Sequence, residues 1–250
     1  MILSSAALAA ALALCAAAPA ETGATAASAP PHLEKNGQSI NLVVNGKPFL
    51  AVSDELNGSS SSSAEYMETI WPKLKEANVN NVLTIVSWEQ IEPREGEFDF
   101  TVIDDLLKGA RASGLKLTIV WFASWKNGVT THIPMWAQVD QKRFPLVQNE
   151  KGETYSTLST VYENRWKADA KAFAAMMKYI AQVDSKEQTI IMVQVENEMG
   201  VRGMVRDYCP KADKLYNSQV PAGLMNYLVT NKSKLIPETL SAWANSNYAT

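Results

Sequence analysis

The chain is poor in the residues that build metal and redox sites. It carries only two cysteines, Cys15 and Cys209, and two histidines, His32 and His132, in 250 residues. Neither pair has the spacing of a zinc site, and loss of an amino-terminal signal would leave a single cysteine with no internal disulfide partner. A Gly-rich phosphate loop is also lacking. The sequence therefore predicts no metal and no cofactor.

An excess of one charge is lacking too. Lys and Arg number 23 against 26 Asp and Glu, and the basic residues are scattered along the chain. This distribution excludes the basic stripes that bind nucleic acid or a membrane surface. Because 46% of the residues are hydrophobic, the chain has enough apolar side chains for a large core. A neutral or weakly charged substrate is the partner that fits this composition.

The amino terminus forms a segment of its own. Residues 2–20 are rich in Ala and Leu, carry no charge and end in Ala18-Pro19-Ala20. This pattern is typical of a secretory signal peptide with an A-x-A cleavage site, and it predicts export to the periplasm or the cell exterior. So much Ala makes the run a poor membrane span. The Ala/Thr/Ser/Pro mixture after it predicts a disordered leader over residues 21–37, which leaves residues 38–250 for the folded domain.

Apolar runs alternate with amphipathic stretches from residue 40 onward. Asn45-Gly46 lies between two apolar runs and predicts a β-hairpin. Strands are predicted to start near residues 49, 82, 117 and 189, and helices are predicted over residues 64–77, 102–112, 162–183, 220–228 and 237–243. Pro72 is expected to kink or divide the first helix. Strand and helix in alternation predict an α/β fold with a parallel sheet.

Polar and aromatic residues follow each predicted strand of this sheet. They are Asp54 and Glu55; Trp88, Glu89 and Glu92; Ser124, Trp125, Lys126 and Asn127; and Glu196, Asn197 and Glu198. The carboxyl ends of parallel strands meet at one edge, where such folds carry their catalytic groups. A face rich in Trp, Asn and Glu suits a sugar, which offers hydroxyls to carboxylates and amides and a C–H face to an indole. For Trp88 and Trp125, a sugar platform and plain packing both remain open.

The last cluster follows an almost continuous apolar run. Residues 190–195 predict a parallel strand that is buried on both faces. A regular strand would place Glu196 and Glu198 on the same side. A carboxyl group that is partly buried at such a strand end has a raised pKa and keeps a proton to donate. The residues alone do not choose between the two carboxyls, and a helix N-terminus with acidic residues is the alternative interpretation.

Two stretches resemble a known group of enzymes. Residues 194–200, QVENEMG, resemble the acid/base motif of the family 35 β-galactosidases, and residues 88–100, WEQIEPREGEFDF, resemble a motif that families 35 and 42 share. The resemblance implies a (β/α)8 TIM barrel and a retaining glycoside hydrolase that cleaves terminal β-galactosides. It also implies that Glu198 is the general acid/base, that Asn197 holds the sugar 2-hydroxyl and that Glu92 accepts hydroxyl hydrogen bonds.

Trp88, Trp125 and Glu55 complete the expected substrate contacts. The stretch Asp54-Glu55-Leu56 resembles the one that opens the barrel in these enzymes, but it departs from the family pattern after the Glu, so its sugar preference stays open. Four βα units make about half of a barrel, so residues 38–250 are expected to be its amino-terminal part. The resemblance places the nucleophile after the seventh strand, outside this chain. Alone, the chain is expected to aggregate through unpaired sheet edges and to be inactive.

Two alternatives accompany this interpretation. The first is a glycosidase of the same clan that acts on a glucoside, a xyloside or an arabinoside, because the Asn197-Glu198 pair would serve each of them. The second is a non-catalytic sugar-binding remnant, in which the acid is kept and hydrolysis is lost.

Overall fold

The computed structural model describes residues 29–124, 126, 132–201 and 203–245. The described part begins with a three-stranded antiparallel sheet of β1 (His32–Asn36), β2 (Ser39–Val44) and β3 (Lys47–Phe49). Asn45 and Gly46 have φ values of 50° and 71°, so the predicted hairpin and its turn are confirmed. The prediction of a disordered leader up to residue 37 is wrong for β1, because residues 32–36 form a regular antiparallel ladder with β2.

A four-stranded parallel sheet forms the centre of the molecule. Its order is β4 (Ser53–Glu55), β5 (Asn81–Ser87), β6 (Lys116–Phe122) and then a last strand, Ile190–Val195, which is β9 in chain order. The crossovers between these strands contain α1 (Ala64–Glu76), α3 (Thr101–Ser113) and α5 (Glu163–Val183). The predicted parallel βα architecture is therefore confirmed.

The first parallel strand starts later than predicted. Residues near 49 belong to the hairpin, and the sheet begins only at Ser53. Asn80 explains the break: its side chain accepts a hydrogen bond from the N–H of Val52 at 2.8 Å and donates to the carbonyl of Leu50 at 2.9 Å. The carbonyl of Val52 also accepts from the backbone N–H of Asn80 at 2.9 Å and of Asn81 at 3.3 Å, so the connecting residues are bonded both to a side chain and to the start of β5.

The core lies between the parallel sheet and its helices. Apolar residues on the outward face of β5 and β6 meet the buried stripes of α1, α3 and α5. Trp71 of α1 packs directly on Gly109 of α3, where a Cβ atom would overlap the indole ring. Of the kink or division expected at Pro72, the division is wrong, because one continuous helix runs through that residue.

The strand β9 is not buried on both faces, as its apolar run predicts. Ile190 and Ile191 are buried, but Met192 is 38% exposed and Val195 is 58% exposed. The reason is topological: β9 pairs with β6 on one side, and no other described strand pairs with its second side. The apolar run marks a strand of a larger sheet, whereas in the described residues it is an edge.

Shorter elements lie outside the central sheet. The described elements between β5 and α5 include α2 (Trp88–Ile91), α4 (Met135–Val139) and an antiparallel pair of β7 (Leu146–Gln148) and β8 (Thr154–Leu158). After β9 come α6 (Pro210–Tyr216), α7 (Ala222–Thr230) and α8 (Pro237–Ala244), of which the last two were predicted. Among the described residues, no helix has both the length and the apolar character to cross a bilayer.

Candidate active site

The register of the sheet brings three strand ends to one edge, which we call the rim. Ser87 at the end of β5 pairs with Phe122 at the end of β6, and Trp121 pairs with Val195 at the end of β9. The residues that follow these strands therefore lie along one side of the molecule. This is the convergence that the parallel alternation predicts.

The first strand does not reach the rim, so Glu55 is misplaced in the prediction. Asp54 and Glu55 lie inside β4 instead of after it, and Glu55 pairs with Leu83. Because Leu83 precedes the end of β5 by four residues, Glu55 stands about 13 Å below the rim at about 3.3 Å per residue. Its side chain is exposed on the edge strand β4.

Glu196 is the first residue after β9, and its side chain points into the protein. Its φ of 63° is left-handed, and its N–H donates to the carbonyl of Trp121 at 3.1 Å. The hydroxyl of Ser124 lies 3.2 Å from Oε1, and Arg165 approaches the same oxygen at 3.6 Å. With its side chain only 10% exposed, Glu196 is held by fixed protein partners.

Asp169 of α5 extends this contact into a buried polar network. It accepts a hydrogen bond from the indole of Trp121 at 3.0 Å and another from the N–H of Ser124 at 3.4 Å. The Ser124 hydroxyl also contacts Asp169. A hydroxyl has one proton, so Ser124 lies between two carboxylates and donates to one of them at a time.

Arg165 supplies the positive charge of this network. Burial lowers the pKa of Arg165, and the negative charges of Glu196 and Asp169 act in the opposite direction. The guanidinium remains charged in proteins, so two buried carboxylates share one buried cation. The ion pair with Glu196 offsets part of the free energy that the burial of these charges costs.

Arg165 and Asp169 were not predicted from the sequence. Both lie in the middle of the chain on α5, whose charged residues are typical of a solvated helix face. One signal was present: an Arg and an Asp separated by four residues share one face of a helix. That spacing alone does not show that the face is turned toward the end of β9.

Asn197 is oriented by contacts along the rim. Its side-chain oxygen accepts a hydrogen bond from Gln194 at 2.9 Å, and its side-chain nitrogen donates to the carbonyl of Lys126 at 3.4 Å. Gln194 also donates to the carbonyl of Glu196 at 3.1 Å. The half-buried amide is therefore fixed between β9 and the segment that follows β6.

Glu198 occupies a different environment from Glu196. Its φ of 45° is the second left-handed value within three residues, and the residue is exposed. The two turns break the alternation of the strand, so the carboxyls no longer share one environment. One is buried and paired in the network, and the other lies in the exposed segment after β9.

Trp88 and Glu92 lie inside the protein, which contradicts their predicted contact with substrate. They are 0% and 1% exposed. The indole of Trp88 donates to Glu92 at 2.8 Å, and the N–H of Gly96 donates to the other oxygen of Glu92 at 2.8 Å. Glu92 directly follows α2, four residues after Trp88, so the two side chains face each other. Their mutual contact leaves neither group open to a ligand. Trp125 lies outside the described residues, as does Asn127.

The chain is similar to known proteins in sequence and in fold. A family profile described as "Beta-galactosidase", that of glycoside hydrolase 42, matches residues 60–250. Beta-galactosidase 13 of Arabidopsis thaliana is 26% identical over 165 residues, which are 63% of this chain and 18% of that protein. The chain therefore spans less than a fifth of the length of that relative.

Two solved structures resemble parts of this chain. The catalytic domain of a β-amylase from Paenibacillus polymyxa has 17% identity and a TM-score of 0.52, over 77% of this chain and 49% of that chain. A catalytic mutant of Gan42B, a GH42 β-galactosidase from G. stearothermophilus, has 14% identity and a TM-score of 0.48, over 78% of this chain and 26% of that chain. The first likeness confirms the predicted TIM-barrel architecture, of which the described sheet supplies four parallel strands.

Proposed function

Because the chain belongs to the glycoside hydrolase 42 family of β-galactosidases, we propose that its protein is a retaining glycoside hydrolase that cleaves terminal β-galactosides of oligo- or polysaccharides. The observation that carries this proposal is the Asn197-Glu198 pair, which follows a parallel strand at the rim of a TIM-barrel sheet. The motif over residues 194–200 further supports a position close to family 35 within the same clan.

In this proposal Glu198 is the general acid/base. It protonates the oxygen between two sugars as the bond breaks, and it then removes a proton from the attacking water. The exposure of Glu198 supports the assignment, because a substrate has to reach the carboxyl. Glu196 is the poorer candidate, since Ser124 and Arg165 already occupy its buried carboxylate.

Asn197 is proposed to bind the hydroxyl next to the reacting carbon. Gln194 fixes the side-chain amide of Asn197, which can donate a hydrogen bond from its nitrogen and accept one at its oxygen. A retaining mechanism also requires a nucleophilic carboxylate about 5–5.5 Å from the acid. We propose that this carboxylate comes from a later strand of the same barrel.

The test measures glycoside hydrolysis by the full-length protein that the gene encodes. Nitrophenyl β-galactoside is compared with the matching β-glucoside, β-xyloside and arabinoside, for the wild type, Glu198→Gln and the control Glu76→Gln. Glu76 is an exposed residue at the end of α1. We expect galactoside turnover to fall by about 10²–10⁴-fold in Glu198→Gln only.

Each other outcome corresponds to one alternative. Preference for another glycoside would change the sugar and keep the mechanism. Sugar binding without any turnover would favour a non-catalytic carbohydrate-binding protein. Turnover that survives Glu198→Gln with a nitrophenyl substrate and with an unactivated disaccharide would overturn the assignment of the acid.

We also propose that the protein is exported. The uncharged Ala/Leu-rich run before Glu21 supports export, because it is typical of a signal peptide. Residues 1–28 lie outside the described part of the chain. Amino-terminal sequencing of the protein from periplasmic and culture fractions tests it. A mature terminus at Glu21 is expected, and an uncleaved chain confined to the cytoplasm would contradict export.

A further inference from the structure

A second polar cluster lies at the rim, beside the end of β5. It surrounds a cleft of about 150 Å³ whose polar lining includes Ser59, Ser62, Ser87, Glu89 and His132. We call it the rim cleft. At about 30 Å³ per water molecule, its volume equals about five waters, which suits the hydroxyl-bearing edge of one sugar ring.

One wall of the rim cleft is built by the serine-rich turn after β4. The hydroxyl of Ser61 donates to the carbonyl of Ile85 at 2.7 Å and accepts from its N–H at 3.2 Å. Ser61 is only 4% exposed. The turn is therefore anchored to β5 from inside, so the neighbouring Ser59 and Ser62 are held in place beside the cleft.

The opposite wall is a carboxylate and an imidazole. Nδ1 of His132 lies 3.0 Å from Oε1 of Glu89, and the N–H of Glu89 donates to the carbonyl of His132 at 3.1 Å. The side chains are 23% and 46% exposed. This double contact fixes the carboxylate while leaving part of it open to solvent.

The rim cleft faces the same side of the sheet as Asn197. The ring of His132 lies 5.2 Å from that of Phe122, and the ammonium of Lys126 lies 5.2 Å from the same ring. The carbonyl of Lys126 in turn accepts from the Asn197 amide. A chain of contacts across the end of β6 thus joins the two clusters.

We propose that the rim cleft is a hydroxyl-recognition subsite for a neutral sugar, with Glu89 as the hydrogen-bond acceptor and His132 as the residue that positions Glu89. This proposal rests on the proposed function, because the proposed function is what locates the sugar at the rim. A carboxylate accepts hydrogen bonds from adjacent hydroxyls. A buried or fixed polar group also rejects an analogue that lacks the partner hydroxyl.

The test is a titration, monitored by calorimetry, of the full-length protein that the gene encodes with galactose and its monodeoxy analogues. The variants are Glu89→Gln, Glu89→Asp, His132→Ala and His132→Asn, with Glu76→Gln as the control. Because Gln keeps an acceptor oxygen but loses the charge that strengthens the hydrogen bond, we expect the dissociation constant to rise about tenfold in Glu89→Gln. His132→Ala should weaken binding, and His132→Asn should restore part of it, because an amide nitrogen can replace Nδ1.

The deoxy analogues identify the hydroxyl. Removal of the recognised hydroxyl should weaken binding to the wild type more than binding to Glu89→Gln, since the amide oxygen of Gln still accepts the hydrogen bond but without the charge of the carboxylate. Binding of every sugar by Glu89→Gln as tightly as by the wild type would overturn the proposal, as would a wild type that binds none of them. The four variants change two partly exposed residues, Glu89 and His132, and the unfolding midpoint of each verifies that it is folded.

The proposed function can fail separately. Glu89-dependent sugar binding in a protein without glycosidase activity would support the rim cleft and remove the hydrolase. Hydrolysis that depends on Glu198 while sugar binding ignores Glu89 would support the hydrolase and remove the rim cleft.

Discussion

The guanidinium of Arg165 lies 3.6 Å from a carboxylate oxygen of Glu196, and the two side chains are only 7% and 10% exposed. This contact joins the long helix α5 to the residue that follows β9. It gives Glu196 a structural partner, whereas Glu198, two residues later, is exposed. Two similar residues in one short motif are thereby separated into a buried support and an accessible group.

Replacement of Arg165 by Met is expected to destabilise the protein strongly. The change leaves Glu196 and Asp169 buried without their cation, and removal of one partner from a buried ionic group costs about 3–5 kcal/mol. Urea unfolding at pH 7 measures the loss. The control is Arg94→Met, whose ion pair with Glu97 is largely exposed and should contribute little. Equal midpoints for the two variants would contradict a stabilising role of the buried network.

Glu198→Gln is expected to discriminate between leaving groups. A proton donor matters most when the departing oxygen is basic, so alkyl glycosides and disaccharides should lose about 10²–10⁴-fold in kcat/KM. Dinitrophenyl glycosides, whose leaving group departs without a proton, should lose far less in the step that breaks the glycosidic bond. The measurement is kcat/KM against leaving-group pKa for the product of the whole gene. A uniform loss for every substrate would argue against acid catalysis by Glu198.

Gly109→Ala is expected to loosen the contact between α1 and α3. The new methyl group would overlap the indole of Trp71, and such overpacking costs about 1–3 kcal/mol. Gly223→Ala on α7 is the matched control, because a Cβ there meets nothing within 4 Å and Ala favours a helix by about 1 kcal/mol. Thermal unfolding should move in opposite directions for the two variants. A Gly109→Ala variant with a raised unfolding temperature would show that α1 and α3 can move apart without loss of stability.

Asp207 is expected to make stability depend on acid. Burial alone raises the pKa of Asp207, but hydrogen bonds from Ser159 and from the N–H groups of Cys209 and Gln148 outweigh it, so the pKa lies below its ordinary value. The unfolded chain, with a pKa of about 3.9, then binds the proton more readily. The stabilisation is complete above about pH 4–5 and is lost as the pH falls through the lower folded-state value.

Urea midpoints at pH 7, 5 and 3 test this dependence. The gap between the wild type and Asp207→Asn should stay constant from pH 7 to 5 and narrow toward pH 3. Asp105→Asn, a change at an exposed position of α3, should show no such narrowing. A gap that widens in acid would mean that the folded state raises the pKa instead.

Local patterns predicted the framework of the fold correctly. The Asn45-Gly46 turn, the apolar runs of β5 and β6 and the amphipathic helices each depend on residues near one another in the chain, so their signals are visible in the sequence. The break between β3 and β4 was missed because it depends on Asn80, about thirty residues from its partners Leu50 and Val52.

The position of the polar residues after β9 was predicted, but most of their contacts were not. The end of β9 was identified because polar residues follow an apolar run, but Arg165 and Asp169 meet Glu196 and Ser124 only through tertiary packing. Trp88 and Glu92 carried a readable signal, since a spacing of four on a helix makes them neighbours. That spacing accounts for their mutual hydrogen bond, whereas their burial depends on residues distant in the chain, such as Trp136, which packs against Trp88.

The two left-handed residues at 196 and 198 also limit how this sequence can diverge. Side chains branched at Cβ are strongly disfavoured at a φ of this sign, so Val, Ile and Thr should be absent from both positions in any homologue that keeps the same backbone. Gly, Asn and Asp tolerate the geometry best. Substitution by Gly or Asn is therefore the easiest route by which either position can lose its carboxyl. A homologue that had lost catalysis in this way would keep the left-handed backbone at both positions.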